Sequence, residues 1–283
     1  MKLYHLYGLA VASDFDCPEL SELTPEQVSA RGYATVELRR ATEPLTLEGG
    51  QTLTQWLCVT PDACLCEFTG IAQFLIERPD RITVRMMPGG VESDMRAYLF
   101  GTGFGVLMHM RGLVPLHISA IKTPDGVTAF TGESGAGKST KVAELHFKHG
   151  WPVICDDVAV LHPDDTLPIL HAGMNRIKLW NDAVERFGVD PARLTRDIMR
   201  FDKFHLNDPD MFVEEPQILE TLIEIADHGK HQSQPVGADA FTLLMNAVYR
   251  PEFAAIFADR GNIFKTISRC AVHINTKSGK TDP

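Results

Sequence analysis

Gly132-Glu133-Ser134-Gly135-Ala136-Gly137-Lys138-Ser139-Thr140 is the stretch whose reading decides the fold. An apolar, strand-like run, Val127–Phe130, precedes it, and a helical pattern, Lys138–Lys148, follows and ends at Gly150. The stretch matches G-x-x-x-x-G-K-[ST] in the strand–loop–helix context that gives that pattern its meaning. Glycines let the backbone curl until successive N–H groups face one concavity at a helix N-terminus, which attracts anions. Lys138 adds a charge able to follow β- and γ-phosphates, and Ser139 offers a hydroxyl of the kind that ligates Mg²⁺. Gly132 to Thr140 is therefore expected to bind a nucleoside triphosphate.

Working outward, strands are expected at Val114–Ile121 and Val127–Phe130 around a Pro124-Asp125-Gly126 turn, then at Pro152–Cys155 and Val158–Leu161. Asp156-Asp157 stands at the end of the strand that follows the loop helix, where ligands collect in such sheets. Neighbouring carboxylates on a strand point to opposite sides, so two jobs are expected: one holds Mg²⁺, the other takes a proton from an attacking hydroxyl. Asp157 is paired with Ser139 as the expected metal set. His117, in Leu116-His-Ile-Ser-Ala, reads on its own as a packed core residue. Arg250, Arg260, Arg269 and Lys178 could each neutralise transition-state charge, and spacing does not choose among them. Gly101-Thr-Gly103-Phe-Gly105 lacks the spacing and the preceding strand of a dinucleotide fingerprint, and reads as small residues that let a helix pack closely.

Residues 1–92 read as an antiparallel β-rich module, with runs such as Leu3–Val11, Ala63–Phe68 and Ile82–Met86 separated by Glu48-Gly-Gly, Arg78-Pro-Asp-Arg and Pro88-Gly-Gly turns. Residues 93–283 then form an α/β core. It opens on a helix capped near Ser93 and closes on helices at 237–249 and 252–269, joined at Arg250-Pro251. The chain has 283 residues, 44% apolar and 23% charged, with a net charge of −10. Such an acidic surface repels a phosphate backbone, so general nucleic-acid binding is not expected. The longest apolar run, Tyr98–Met110, falls short of the roughly 20 residues that span a bilayer, and no membrane association is expected. Six scattered cysteines fit reduced, packed thiols and a cytoplasmic protein.

The ordered set Leu116-His117-Ile-Ser-Ala-Ile, Gly132–Ser139, Glu144–Gly150, Cys155-Asp156-Asp157-Val, Ile177-Lys-Leu-Trp180-Asn-Asp-Ala and Val248-Tyr-Arg250-Pro resembles the HPr serine kinase/phosphorylase superfamily, specifically its HPr-kinase-related members. The resemblance implies an α/β, phosphoenolpyruvate-carboxykinase-like P-loop core with a smaller N-terminal β-rich module, Mg-ATP as donor and a hydroxyl acceptor. It implies that Asp156 and Asp157 are the catalytic and metal pair, with His117 and Lys138 beside them and Arg250 as a charge-stabilising candidate. His171-Ala-Gly-Met-Asn-Arg-Ile-Lys stands where bifunctional members carry a metal-binding Glu, which argues against HPr itself as substrate. A Ser or Thr of a peptide or protein, such as a precursor peptide, is the implied acceptor. A kinase of a small-molecule hydroxyl and a nucleotide-binding regulatory module stand as rivals, and assembly into homo-oligomers is left open.

Overall fold

The computed structural model describes residues 1–196, 202–213, 215–226 and 231–278. The protein is mixed α/β with several sheets, and it divides into two compact units. The first comprises Met1–Leu113 and Arg250–Ile263; the second comprises Val114–Tyr249 and the chain from Phe264 on.

The first unit is built on a nine-stranded sheet of β1 (Lys2–Leu6), β2 (Leu9–Ser13), β3 (Glu22–Leu23), β4 (Thr35–Arg40), β5 (Gln51–Thr54), β6 (Leu57–Val59), β7 (Ala63–Phe68), β8 (Ala72–Glu77) and β9 (Arg81–Met86). Spatial order is β3-β1-β2-β4-β9-β8-β7-β6-β5. The single strand expected over Leu3–Val11 is instead a hairpin. Tyr7 (φ 55°) and Gly8 (φ 75°) form a two-residue turn that sets Leu6 against Leu9. Such turns favour Asn-Gly or Asp-Gly, so a tyrosine gives no turn signal. Tyr7 is buried, and ring burial offsets a left-handed cost of about 1–2 kcal/mol. The sheet is also mixed rather than antiparallel. Helix α1 (Pro25–Arg31) carries the chain back so that β2 and β4 run parallel, as do β4 and β9. Thr24 and Gln27 close a reciprocal capping box at its start.

After β9 the chain runs through α2 (Glu92–Tyr98), a wider π-type turn (Leu99–Gly103) and α3 (Phe104–Met110). Val91, not Ser93, precedes the first helical residue. A Cβ on Gly103 would meet Leu99 Cδ1 at 3.3 Å and Ile82 Cδ1 at 3.9 Å, so the small residue allows close packing on the sheet. Tyr98 likewise packs against Phe68, its ring tilted 37° with 4.3 Å between centroids. This packing draws 93–113 into the first unit, so the division falls at Leu113/Val114 and not at 92/93. The helix Pro251–Phe257 returns to the same unit, with fully buried Phe253 edge-on to Trp56 and Arg78 donating to the Phe257 carbonyl.

The second unit contains β10 (Val114–Leu116), β11 (Ser119–Thr123), β12 (Gly126–Thr131), α4 (Lys138–His149), β13 (Val153–Cys155), β14 (Ala159–Leu161), β15 (Ile169–Ala172), β16 (Arg176–Trp180), α5 (Asn181–Phe187), β17 (Leu194–Arg196), β18 (Lys203–Asn207), β19 (Gln217–Ala226), β20 (His231–Ser233) and α6 (Gly237–Asn246). An eight-stranded sheet runs β10-β14-β15-β19-β12-β11-β13, with β20 on β19, and a three-stranded sheet runs β16-β18-β17. Helix α4 packs against both β11 and β16, and Val142 and Ala143 join Ile121, Phe130, Ile177 and Leu179 in one core. The helix expected over 252–269 is split. Asp259 Oδ1 accepts from Gly261 N and Asn262 N and starts a new helix, Arg260–Ser278. All six cysteines are free, and Cys17, Cys64, Cys66, Cys155 and Cys270 are buried. No helix among the described residues is long and apolar enough to cross a membrane.

Phe253→Ala tests whether the returning segment belongs to the first unit's core. It should cost about 3–5 kcal/mol, read as a lower urea midpoint. A loss under about 1 kcal/mol would place Arg250–Ile263 outside that core.

Candidate functional site

Strand register brings the site together. In the eight-stranded sheet β11 lies between β12 and β13 and runs antiparallel to both, so β12 and β13 are parallel and end at the same edge. β11 begins at that edge. Ser119 pairs with Phe130 on one side, and Ala120 pairs with Cys155 on the other. The loop leaving β12, the first residue of β11 and the Asp156-Asp157 pair leaving β13 therefore share one edge.

The loop 132–137 joins β12 to α4, and Gly132, Gly135 and Gly137 adopt φ of 136°, 90° and 107°. Two different constraints act. A Cβ at Gly132 would lie 2.2 Å from the Ile225 carbonyl oxygen on neighbouring β19, whereas Gly135 has nothing within 4 Å and is held only by its φ. Lys138 is buried, and its ammonium bends back to donate to the Gly132 and Glu133 carbonyls at 2.8 and 3.1 Å. Burial pulls its pKa down, Asp156 and Asp157 oppose that, and Lys203 adds to it. Glu133, Ser134 and Gly135 are exposed, and Ser139 and Thr140 are half-buried in the first turn of α4.

Asp156 and Asp157 lie past the end of β13 in a tight turn, with Val158 N donating to Asp156 O and Asp157 at φ 75°. They were expected to face opposite sides. Past the strand they meet one residue, Lys178, through different groups: Asp156 through its main-chain N–H and Asp157 through its ammonium. Asp156, 6% exposed, accepts from Ser119 Oγ at 2.5 Å through Oδ1 and from Lys178 N at 2.8 Å through Oδ2. Asp157 Oδ2 accepts from Lys178 Nζ at 2.6 Å, and its side chain keeps 26% exposure, enough to meet a solute. Burial pushes the Asp157 carboxyl up, but Lys178, His117 and Arg176 together outweigh it and hold the group well below the usual carboxylate range.

His117 is not in a strand: it sits in the break between β10 and β11, its N–H on the Ala247 carbonyl. Its Nδ1 lies 2.8 Å from the Asp157 carbonyl oxygen and 3.5 Å from Asp157 Oδ1. A carbonyl can only accept, so Nδ1 carries the proton and Nε2 bears the lone pair of the neutral ring. Burial and the Lys138 charge lower its pKa, against the pull of Asp157, which favours that neutral form.

The edge thus gathers Lys138, Asp156, Asp157 and His117. Lys178 is singled out from the cations that spacing left equal. Arg250 lies in the first unit, where its guanidinium donates to Thr102 Oγ1 and approaches Glu252. Sequence reasoning passed over Ser119 as a site residue, although it lies within the quoted Leu116–Ile121 run. A signal for Lys178 was present in Arg176-Ile-Lys-Leu-Trp180. Ile177 and Leu179 are fully buried, so period-two alternation sends Arg176, Lys178 and Trp180 to the other face. Among the described residues, no group of three or more His, Cys, Asp or Glu is arranged to hold a metal ion. The Asp157 carboxylate already carries one cation, the Lys178 ammonium, and is an oxygen donor of the kind that suits a hard one. No family model matches the chain, and no curated protein matches it.

Two measurements check these assignments. Gly132→Ala should destabilise by about 2 kcal/mol or more through its backbone clash, and Gly135→Ala by about 1 kcal/mol through φ alone. Equal melting shifts would show that conformation is the whole requirement at both. Asp157→Asn probes the depressed carboxyl. A carboxylate held below its unfolded value contributes stability above about pH 4 and loses it as pH falls toward the folded value. The stability gap between native and variant chains should therefore be wider at pH 7 than near pH 3, and a constant gap would rule the assignment out.

Proposed function

We propose that this protein is an ATP-dependent phosphotransferase that moves the γ-phosphoryl group to a hydroxyl, a Ser or Thr of a peptide or protein, in the manner of HPr-kinase-like enzymes. One observation carries the proposal: strand register sets the glycine loop with Lys138 at the same sheet edge as Asp156, Asp157 and His117. A glycine loop can satisfy many roles alone. Beside two adjacent acids and a neutral imidazole, it fits phosphoryl transfer best.

In this mechanism the loop N–H groups from Gly132 to Lys138 cradle the phosphates, and Lys138 leaves the loop carbonyls for the β- and γ-oxygens. Magnesium, held by Ser139 and Asp157, would neutralise the phosphate charge that builds toward transfer. Asp156 is committed to Ser119 and Lys178 N, so it positions the turn rather than accepting a proton. Asp157 is held ionised, and a carboxyl with so low a pKa is a weak base. The proton therefore falls to His117 Nε2, whose ring is oriented by its bond to the Asp157 carbonyl. The acceptor oxygen forms a bond to the γ-phosphorus, the bond from that phosphorus to the β-bridging oxygen breaks, ADP departs, and the hydroxyl proton ends on Nε2.

Lys138→Ala should lower transfer by about 10²-fold or more, since a preorganised charge on the phosphates is lost. The assay is γ-labelled ATP with fractionated cell extract, followed by mass spectrometry of the labelled species. Label on a polypeptide hydroxyl that vanishes in Lys138→Ala supports the proposal. Label found only on metabolites points to a small-molecule kinase. Stabilisation by Mg-ATP without any labelled product points to a regulatory module.

A further inference from the structure

Lys178 holds both aspartates at once. Its main-chain N–H donates to Asp156 Oδ2 at 2.8 Å, and its ammonium donates to Asp157 Oδ2 at 2.6 Å. The first bond needs no side chain and fixes where β16 passes. The second is different in kind. Both partners of the ion pair keep access to solvent, at 20% and 26% side-chain exposure, and the lysine end is a flexible four-carbon arm. Ile177 and Leu179 anchor the strand in the core on either side, so the arm can move without shifting β16. Lys138 is in a similar state, its ammonium turned onto the loop's own carbonyls. Two lysines thus occupy, with groups of the protein itself, the places that phosphates and their metal would contest. A half-buried carboxylate cannot stand unpaired without a large desolvation cost, so Asp157 needs a cation in every state.

Resting on the nucleotide assignment above, we propose that the Lys178 ammonium is a resident counter-cation. In the nucleotide-free protein it occupies the cation place on Asp157, and it is exchanged for the divalent ion when nucleotide binds. The released ammonium stays within reach of the phosphates that arrive with the metal. Lys178 is then a positioning residue that sets the metal requirement of nucleotide binding.

The test is calorimetric titration of Mg²⁺ into the full chain at fixed ADP, with no transfer step involved. Lys178→Met keeps much of the stem, removes the charge and leaves the main-chain bond to Asp156. It should tighten the apparent Mg²⁺ affinity, by about tenfold if the ion pair holds nine-tenths of the molecules. Lys178→Arg keeps the charge and grips a carboxylate with a two-pronged fork, so it should weaken Mg²⁺ binding. Unchanged or weaker Mg²⁺ binding in Lys178→Met overturns the exchange. Should that variant fail to fold, Mg²⁺ binding in Lys178→Arg as tight as in the native chain overturns it equally. If the native chain binds no ADP with Mg²⁺ present, the nucleotide assignment falls and this proposal with it. Normal ADP binding with Mg²⁺ affinity indifferent to residue 178 overturns the exchange alone.

Discussion

A carboxylate buried to the extent of Asp156 must have its oxygens hydrogen-bonded, because leaving one unpaired in a low-dielectric interior costs several kcal/mol. Its two donors come from different sheets: Ser119 Oγ from the first residue of β11 and Lys178 N from the middle of β16. Meeting both fixes the end of β13 between them and pins the three-stranded sheet at one point. The Asp157 turn, the approach of the Lys178 ammonium and the tautomer of His117 follow from that placement, because each is bonded to a group Asp156 positions.

Charge is distributed against the composition. A chain of net charge −10 gathers Lys138, Lys178 and Arg176 around two aspartates at this edge, with Lys203 acting in turn on Lys138. The lysine of the glycine loop is therefore one of several local cations. Such a group raises the local positive potential against the net charge of the chain. The same interactions divide the roles of the two aspartates. One is saturated by protein donors, and the other is kept ionised and partly open.

Much of the layout was legible in order along the chain. Gly132–Thr140 and its flanking strand and helix follow from local chemistry, as does the Gly150 helix end, because glycine at a left-handed C-cap is a short-range requirement. The hairpin at Arg78–Arg81 was readable for the same reason. The turn at Tyr7-Gly8 was not, since burial of the tyrosine ring outweighs a backbone preference that points elsewhere. The unit boundary was also hidden. Whether 93–113 belongs to the sheet before it depends on Tyr98 meeting Phe68 and Gly103 meeting Ile82, contacts that no local pattern announces.

By itself the sequence determined which residues carry the candidate chemistry: a glycine loop with Lys138 and Ser139, two adjacent acids and a histidine. Loop curvature and side-chain chemistry are properties of short segments, so they can be read without knowing what lies across the sheet. Only tertiary structure decided how those residues are wired. The pairing of β11 between β12 and β13, and the arrival of β16, bring Ser119 and Lys178 to acids 37 and 21 residues away. Hydrogen bonds and ion pairs act over a few ångströms of space, whatever the distance along the chain.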